Sequence, residues 1–392
     1  MLESESRADV GGSMRVRYIT HLSQLDGLTP EERRRLEPVA ERYVFRLNSY
    51  YAGLINWKDP HDPLRRLVVP LETELNDWGS LDASHEARYT PVRGCQHKYS
   101  DTALLLVNEV CGAYCRYCFR KRLFMNDNAD ASIDHRPGLE YIKEHEEITN
   151  VLLTGGDPLI LGTRRLTQII GDVAAIPHVR IIRIGSKMLA FNPYRVLDDP
   201  KLAALIAETC ASGTQIYIMN HFDHHRELTR PATAAIRVLR QAGAQTVNQC
   251  PIVRGVNDRP HRFATLFREL SVLGCPQYYV FQGRPTAGNE PYEVPIMEGL
   301  HIFLEANRMV SGLAKRARFA MSHATGKIEI VGADDDRIYM RYHRAHRKAD
   351  YGQMIVAARD DGAFWLDQLE IISGPPSLME PSSDLEPQDA WG

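Results

Sequence analysis

Cys111, Cys115 and Cys118 fall within eight residues, in the run Cys-Gly-Ala-Tyr-Cys-Arg-Tyr-Cys. Three thiolates in one short loop can bind three irons of a cubane cluster. The fourth iron then has no protein ligand and stays open to a small molecule. A structural zinc knuckle is the competing use of such cysteines. It asks for paired Cys-x-x-Cys spacing and a fourth ligand close by. Spacing of i, i+4 and i+7 is not that pattern, so the cluster is the favoured reading. The apolar run Leu104 to Val107 stands just ahead of the loop, which places the cysteines at the end of a strand.

Composition narrows the rest. The chain has 392 residues, room for two or three average domains or one barrel with extensions. A formal charge of −3 gives no broad basic field, so neither nucleic acid nor a membrane surface is expected as a partner. No apolar run approaches a membrane span, and the acidic, polar amino terminus is unlike a signal peptide. Seven cysteines, an odd number with three clustered, suit a reducing compartment and metal binding rather than disulfides. The cytoplasm is the expected location.

The elements that must position the loop can be read from patterning. Residues 1–14 read as frayed. Thr29, Pro30 and Glu32 predict a helix start with a capping box. Leu36, Val39, Ala40, Tyr43, Val44 and Leu47 then recur at helical spacing. Residues 50–98 are rich in Pro, Asp and Gly and read as short helices and loops, a mostly structural collar over 50–90. Strand-like runs follow at 103–110, 150–154, 179–184, 214–219, 245–249 and 277–282, most of them separated by amphipathic helix patterns. This βα alternation predicts an α/β fold with a parallel sheet, a partial (β/α)6 barrel. In such folds the chemistry sits at the carboxyl ends of the strands. The expected divisions are 1–98 (amino-terminal helical and wrapping segment), 99–290 (barrel), 291–373 (carboxy-terminal extension, with two short strands flanking Lys327) and 374–392 (disordered, proline-rich acidic tail).

The cysteine loop resembles the CxxxCxxC motif of the radical S-adenosylmethionine (SAM) superfamily. Further segments resemble the lysine 2,3-aminomutase family, whose members also use pyridoxal phosphate (PLP). They are AspProHisAspProLeuArgArg at 59–66, HisLysTyrSerAsp at 97–101 and LeuThrGlyGlyAspProLeu at 153–159. ArgIleGlySer at 183–186, AsnHisPheAspHis at 220–224, AsnGln at 248–249, ArgGlyValAsnAsp at 254–258 and GlyLysIle at 326–328 complete the set. The resemblance covers about residues 45–335. It implies a radical SAM barrel, a [4Fe-4S] cluster on Cys111, Cys115 and Cys118, and the transfer of an amino group from Cα to Cβ of a free amino acid, an isomerase reaction. It also implies an external one-electron reductant of flavodoxin or ferredoxin type.

The resemblance implies residue roles as well. Gly155, Gly156 and Asp157 would meet the methionine end of SAM, since two glycines let backbone polar groups approach a ligand; an ordinary strand-to-helix turn is the alternative. Tyr117 stands where the family places a residue against the adenine, with simple packing as the alternative. Arg183, Asn248 and Gln249 complete the expected SAM set. Lys327 would carry PLP, which requires a neutral amine in a shielded place; a solvated lysine in a turn is the alternative. Lys98 and Tyr99 match positions that hold the PLP phosphate, but a family arginine nearby is replaced by Thr102. Arg120 matches the clamp on the substrate α-carboxylate. Arg116, Lys121 and Arg122 could offset anionic ligands.

The side-chain pocket departs from the lysine-specific pattern. Two aspartates expected to grip a distal ammonium are absent: Gly283-Arg284 and Ala320 stand there, with Ser322 nearby. Exchanging anions for Arg284 favours an acidic or polar substrate, as in glutamate-type members. No cysteine follows Cys275, so a homo-oligomer without the carboxy-terminal zinc clip is expected. A radical SAM enzyme of the same fold with another reaction, or one acting on a lysine of a protein, is the alternative function.

Overall fold

The computed structural model describes residues 15–125 and 134–379; the frayed start expected over 1–14 lies outside these. Among the described residues, twelve strands form one mixed sheet whose spatial order follows the chain. A short pair, β1 (Tyr18–Ile19) and β2 (Leu47–Asn48), stands apart. The large sheet begins with β3 (Cys95–Tyr99), antiparallel to β4 (Thr102–Asn108). Then β5 (Asn150–Gly155), β6 (Ile181–Ser186), β7 (Gln215–Asn220), β8 (Gln245–Pro251), β9 (Gln277–Phe281) and β10 (Arg318–His323) each lie parallel to the strand before. β11 (Gly326–Ala333), β12 (Arg337–Ala345), β13 (Met354–Ala358) and β14 (Ile371–Ser373) continue the sheet in antiparallel fashion. The fold is α/β.

Helices over 136–144, 163–174, 200–211, 230–241, 260–272 and 296–308 fall between successive parallel strands. Their apolar stripes are buried as the spacing predicts: Leu166, Ile169, Ile170 and Val173 on one, Phe263, Leu266, Phe267 and Leu270 on another. Buried on both faces, parallel strands need such cover. The six strand-like runs correspond to β4–β9, and Thr29 caps the helix Pro30–Arg42 through the expected box. That helix ends before Val44, because Tyr43 is extended.

The carboxy-terminal extension differs from expectation. Lys327 lies on β11 itself, and β10–β14 prolong the main sheet rather than forming a separate flap. The period-2 pattern Ile338, Met340, Tyr342, all buried, was the available signal. Residues 371–379, which straddle the start of the expected tail, carry β14 and a helical turn at Pro376–Met379. Ser377 there donates to Asp350 at 2.7 Å. No helix among the described residues is long and apolar enough to cross a membrane.

The collar is bolted to the sheet by charge. Glu74 accepts from Arg116 at 2.6 Å, both side chains almost wholly buried, and from the Tyr292 hydroxyl at 2.8 Å. Arg116 also reaches the carbonyls of Tyr43 and Val44. Breaking such a pair leaves an unmatched charge in the interior. Glu74→Ala is expected to lower stability by about 3–5 kcal/mol in chemical denaturation. Arg35→Ala, which removes a half-exposed pair with Glu72, should stay within about 0.5 kcal/mol of the parent.

Candidate active site

The cysteine loop leaves the carboxyl end of β4 and is stitched on two sides. Gly156 N–H donates to the Asn108 carbonyl at 2.8 Å, Asp157 N–H donates to that of Val110 at 2.9 Å, and the Asn108 side chain donates to the Asp157 carbonyl at 2.7 Å. These bonds tie the loop after β4 to the loop after β5. From the collar, Asn48 donates to the Gly112 carbonyl at 3.0 Å; Tyr114 and Arg116 N–H donate to the carbonyls of Arg46 and Leu67. The loop thus has a fixed shape without being helix or strand. Arg116, engaged by Glu74, is not available to offset an anionic ligand.

One cavity of about 370 Å³ opens above the strand ends, and every expected site residue except Asn248 lines it. Cys111, Cys115 and Cys118 are partly exposed to it. Burial pushes all three thiols up, and each of the other two thiols adds to the effect on Cys111. Among the described residues no three His, Cys, Asp or Glu side chains converge on a point where one ion could sit. A cubane asks for a different arrangement, since each thiolate binds its own iron. Three mutually interacting thiols facing one cavity fit that donor set.

Asp157 does not turn its carboxylate to the cavity centre. Its oxygens accept from Ser186 Oγ at 2.8 and 3.0 Å, Lys187 N–H at 2.7 Å and Leu159 N–H at 3.0 Å. Burial still raises its pKa to about 6. The carboxylate fixes the turn, and Gly155 and Gly156 line the cavity beside it. Gly155 has φ +109°, a conformation that favours glycine.

Lys327 is half-buried, its Nζ 4.0 Å from the centroid of the Tyr279 ring and 4.8 Å from that of Phe281. Burial, and then Arg183, Arg344, Arg284 and Lys98, hold its pKa well below the usual lysine value. The solvated-turn alternative does not describe this placement. Lys98 donates to the His323 carbonyl and lies 5.0 Å from the Tyr89 ring centroid. Burial and Arg284 lower it to about 7. Arg183, in mid-strand on β6, faces Lys327 and Arg344 rather than the thiols, and its Nε has no hydrogen-bond partner among the described residues.

Arg120 Nη2 donates to Glu86 at 3.0 Å and Nη1 to Thr154 at 3.1 Å. Glu86 also binds Arg122 at 2.7 Å. Burial alone would push its carboxyl up; Arg120, Arg122 and Arg284 outweigh this and hold it well below the carboxylate range. Glu86, Ser84 and Tyr89 all line the cavity. The stretch expected to be a mostly structural collar therefore furnishes part of its wall, because Glu86 is drawn in by three guanidinium groups. Arg284 lies 3.7 Å from the Phe119 ring centroid, with Nη1 buried and unpartnered among the described residues. Burial lowers its pKa to about 10. It does not turn away to Glu290, which accepts instead from Asn76.

Tyr117 lines the cavity, and its hydroxyl meets Asp223 at 2.5 Å and His221 at 2.9 Å. Asp223 and Glu227 grip Lys187 at 2.6 and 2.8 Å. The cluster of Lys187, Asp223 and Glu227 was given no role from sequence. Its signal was a lysine following ArgIleGlySer and two acids four residues apart in the segment after β7. Asn248 is fully buried below the cavity, exchanging hydrogen bonds with the Phe222 backbone and donating to Gln277. It positions the loop after β7.

Comparison with known proteins gives the same picture from another direction. No family model matches the chain. It is 53% identical over 354 residues to an Aquifex aeolicus protein named "Putative L-lysine 2,3-aminomutase", covering 90% of this chain and 95% of that one. It is 32% identical to the L-lysine 2,3-aminomutase of Acetoanaerobium sticklandii, covering 74% and 69%. It is 30% identical to the glutamate 2,3-aminomutase of Clostridioides difficile, covering 77% and 71%.

A Cβ on Gly156 would fall 2.4–2.5 Å from Asn108 Oδ1 and the backbone of Val110. Gly156→Ala is expected to cost about 1–3 kcal/mol by displacing the cysteine loop. Gly162→Ala, with nothing within 4 Å, should leave the denaturation midpoint nearly unchanged.

Proposed function

Because the chain belongs to the lysine 2,3-aminomutase family and is an amino acid 2,3-aminomutase, we propose that it works as a radical SAM, PLP-dependent enzyme on an acidic or polar free amino acid rather than on lysine. The observation that carries this reading is one cavity shared by three cysteine thiols, the amine of Lys327 and the buried guanidinium of Arg284. On the same reading residues 99–290 act as a partial (β/α)6 barrel with extensions at both ends, served in the cytoplasm by a one-electron reductant. The subunit would assemble as a homo-oligomer without a zinc clip.

Cys111, Cys115 and Cys118 would hold the cluster, with Tyr117 and the backbone of Gly155 and Gly156 flanking SAM. Lys327 would hold PLP, with Lys98 and Tyr99 beside it. When bound, these groups supply a hydrogen-abstracting carbon radical and a conjugated ring that carries nitrogen from Cα to Cβ. Everything else falls to the chain. Burial and four neighbouring cations lower the pKa of the Lys327 amine and so favour its neutral form, the nucleophile an aldehyde requires. Arg120, with Nε and Nη2 engaged by Glu86 and Gln96 and one Nη1 donor by Thr154, would offer its other Nη1 donor to an α-carboxylate. The cavity walls would shield reactive carbon centres from water.

Arg284 decides the side chain. In a dry site two cations at close range repel by several kcal/mol, so a lysine ammonium is turned away and a carboxylate is drawn in. Ala320, fully buried on β10, supplies no compensating anion. The printed names of two of the relatives favour lysine as the second reading, and Arg284 separates the two.

Anaerobic reconstitution with iron, sulfide, PLP and SAM, followed by a screen of amino acids for β-isomers, tests the proposal. Turnover of glutamate or aspartate above lysine is expected; lysine as the preferred substrate would overturn the assignment of Arg284. Arg284→Asp should lower kcat/KM for the acidic substrate by about a hundredfold or more. Cys115→Ala should bind less iron after reconstitution and lose its visible absorbance; unchanged iron content would remove that cysteine from the ligand set.

A further inference from the structure

Lys327 on β11 and Arg344 on β12 are direct cross-strand partners. Residues so paired share a face of the sheet, with Cβ atoms about 5 Å apart, and like charges there are destabilising. The largest charged influences on Lys327 come from Arg183, Arg344, Arg284 and Lys98, all cations. Arg183, Lys98, Lys327 and Arg344 all line the cavity. Packing this many basic groups around one amine is costly unless an anion is meant to lie among them.

Arg344 is shaped for that anion. Its guanidinium stacks on the Tyr99 ring, 4.3 Å from the centroid. Both terminal nitrogens lie 3.4 Å from Thr102 Oγ1, and Nη2 also pairs with Asp101 at the cavity rim. The carboxylate at the rim fixes the fork without entering the pocket centre. Thr102, at the start of β4, is the position where an arginine would be expected from the family resemblance.

We propose that Arg344 supplies, from the carboxy-terminal sheet, the phosphate-anchoring guanidinium that Thr102 cannot. A planar fork fits a phosphate dianion in bidentate fashion. It would hold PLP by its phosphate while Lys327, one strand away, holds the aldehyde end. This rests on the reading of Lys327 as the PLP lysine.

The test uses apo-protein titrated with PLP and, separately, with pyridoxal, which has the aldehyde but no phosphate. Lysine-bound cofactor is followed by its visible absorbance. The parent is expected to prefer PLP strongly. Arg344→Met should weaken PLP binding about ten- to a hundredfold and pyridoxal binding far less, Arg344→Lys should lose less PLP affinity, and Thr102→Arg added to Arg344→Met should restore it. Equal losses for both ligands, or unchanged PLP affinity in Arg344→Met, would overturn the inference; should Arg344→Met fail to fold, Arg344→Lys and the double variant give the same two readings. If the parent itself gives no absorbance that Lys327→Ala abolishes, the reading of Lys327 falls, and this inference with it.

Discussion

The cysteine loop has no secondary structure of its own, and the bonds that stitch it on two sides are backed by one buried contact, the ion pair of Glu74 with Arg116. Arg116 sits between two of the three cysteines, and Glu74 comes from the amino-terminal wrapping segment. Tyr292, from beyond β9, completes the junction. Three distant stretches of chain therefore meet behind the loop. A charge pair so deeply buried gains little over a hydrophobic alternative, but removing either partner is expensive. That asymmetry makes the pair a positioning device rather than a source of net stability.

Much of this was legible in the sequence. Helix stripes such as Leu166, Ile169, Ile170 and Val173 gave correct elements because their burial follows from spacing alone. The six strand-like runs of the parallel region stood out because each is short, apolar and followed by a helix pattern. What escaped was whatever depends on partners far away in the chain. Glu86 lies in a stretch of turns, and nothing local says that three guanidinium groups will draw it into a wall. Arg344 looks like one more basic residue in a run of them until β12 is laid beside β11. Asn248, by contrast, follows a well-placed strand yet faces down into the protein, because side chains alternate along a strand and only Gln249 turns to the cavity.

The electrostatics of the cavity divide by depth. Near the thiols, acids and bases are matched: Lys187 answers Asp223 and Glu227, and Ser186 with backbone amides answers Asp157. Around Lys327 cations outnumber anions, with Asp101 pairing Arg344 and Glu86 acting on Arg284 and Lys98. A region of neutralised charge suits a cluster whose own ligands bring the negative charge. A region of excess positive charge suits anionic organic groups. The two halves of the pocket thus carry different chemical invitations within a single enclosure.

The sheet itself sets how Lys327 is aimed. β10 and β11 are joined by only two residues, Ala324 and Thr325, and each strand is locked in register to its neighbours. Successive side chains on a strand point to opposite faces. Slipping the pairing of β11 by a single residue would turn the amine to the other face while leaving every apolar residue before it in place. The direction of the amine is therefore a property of register, held by the strands on both sides of β11.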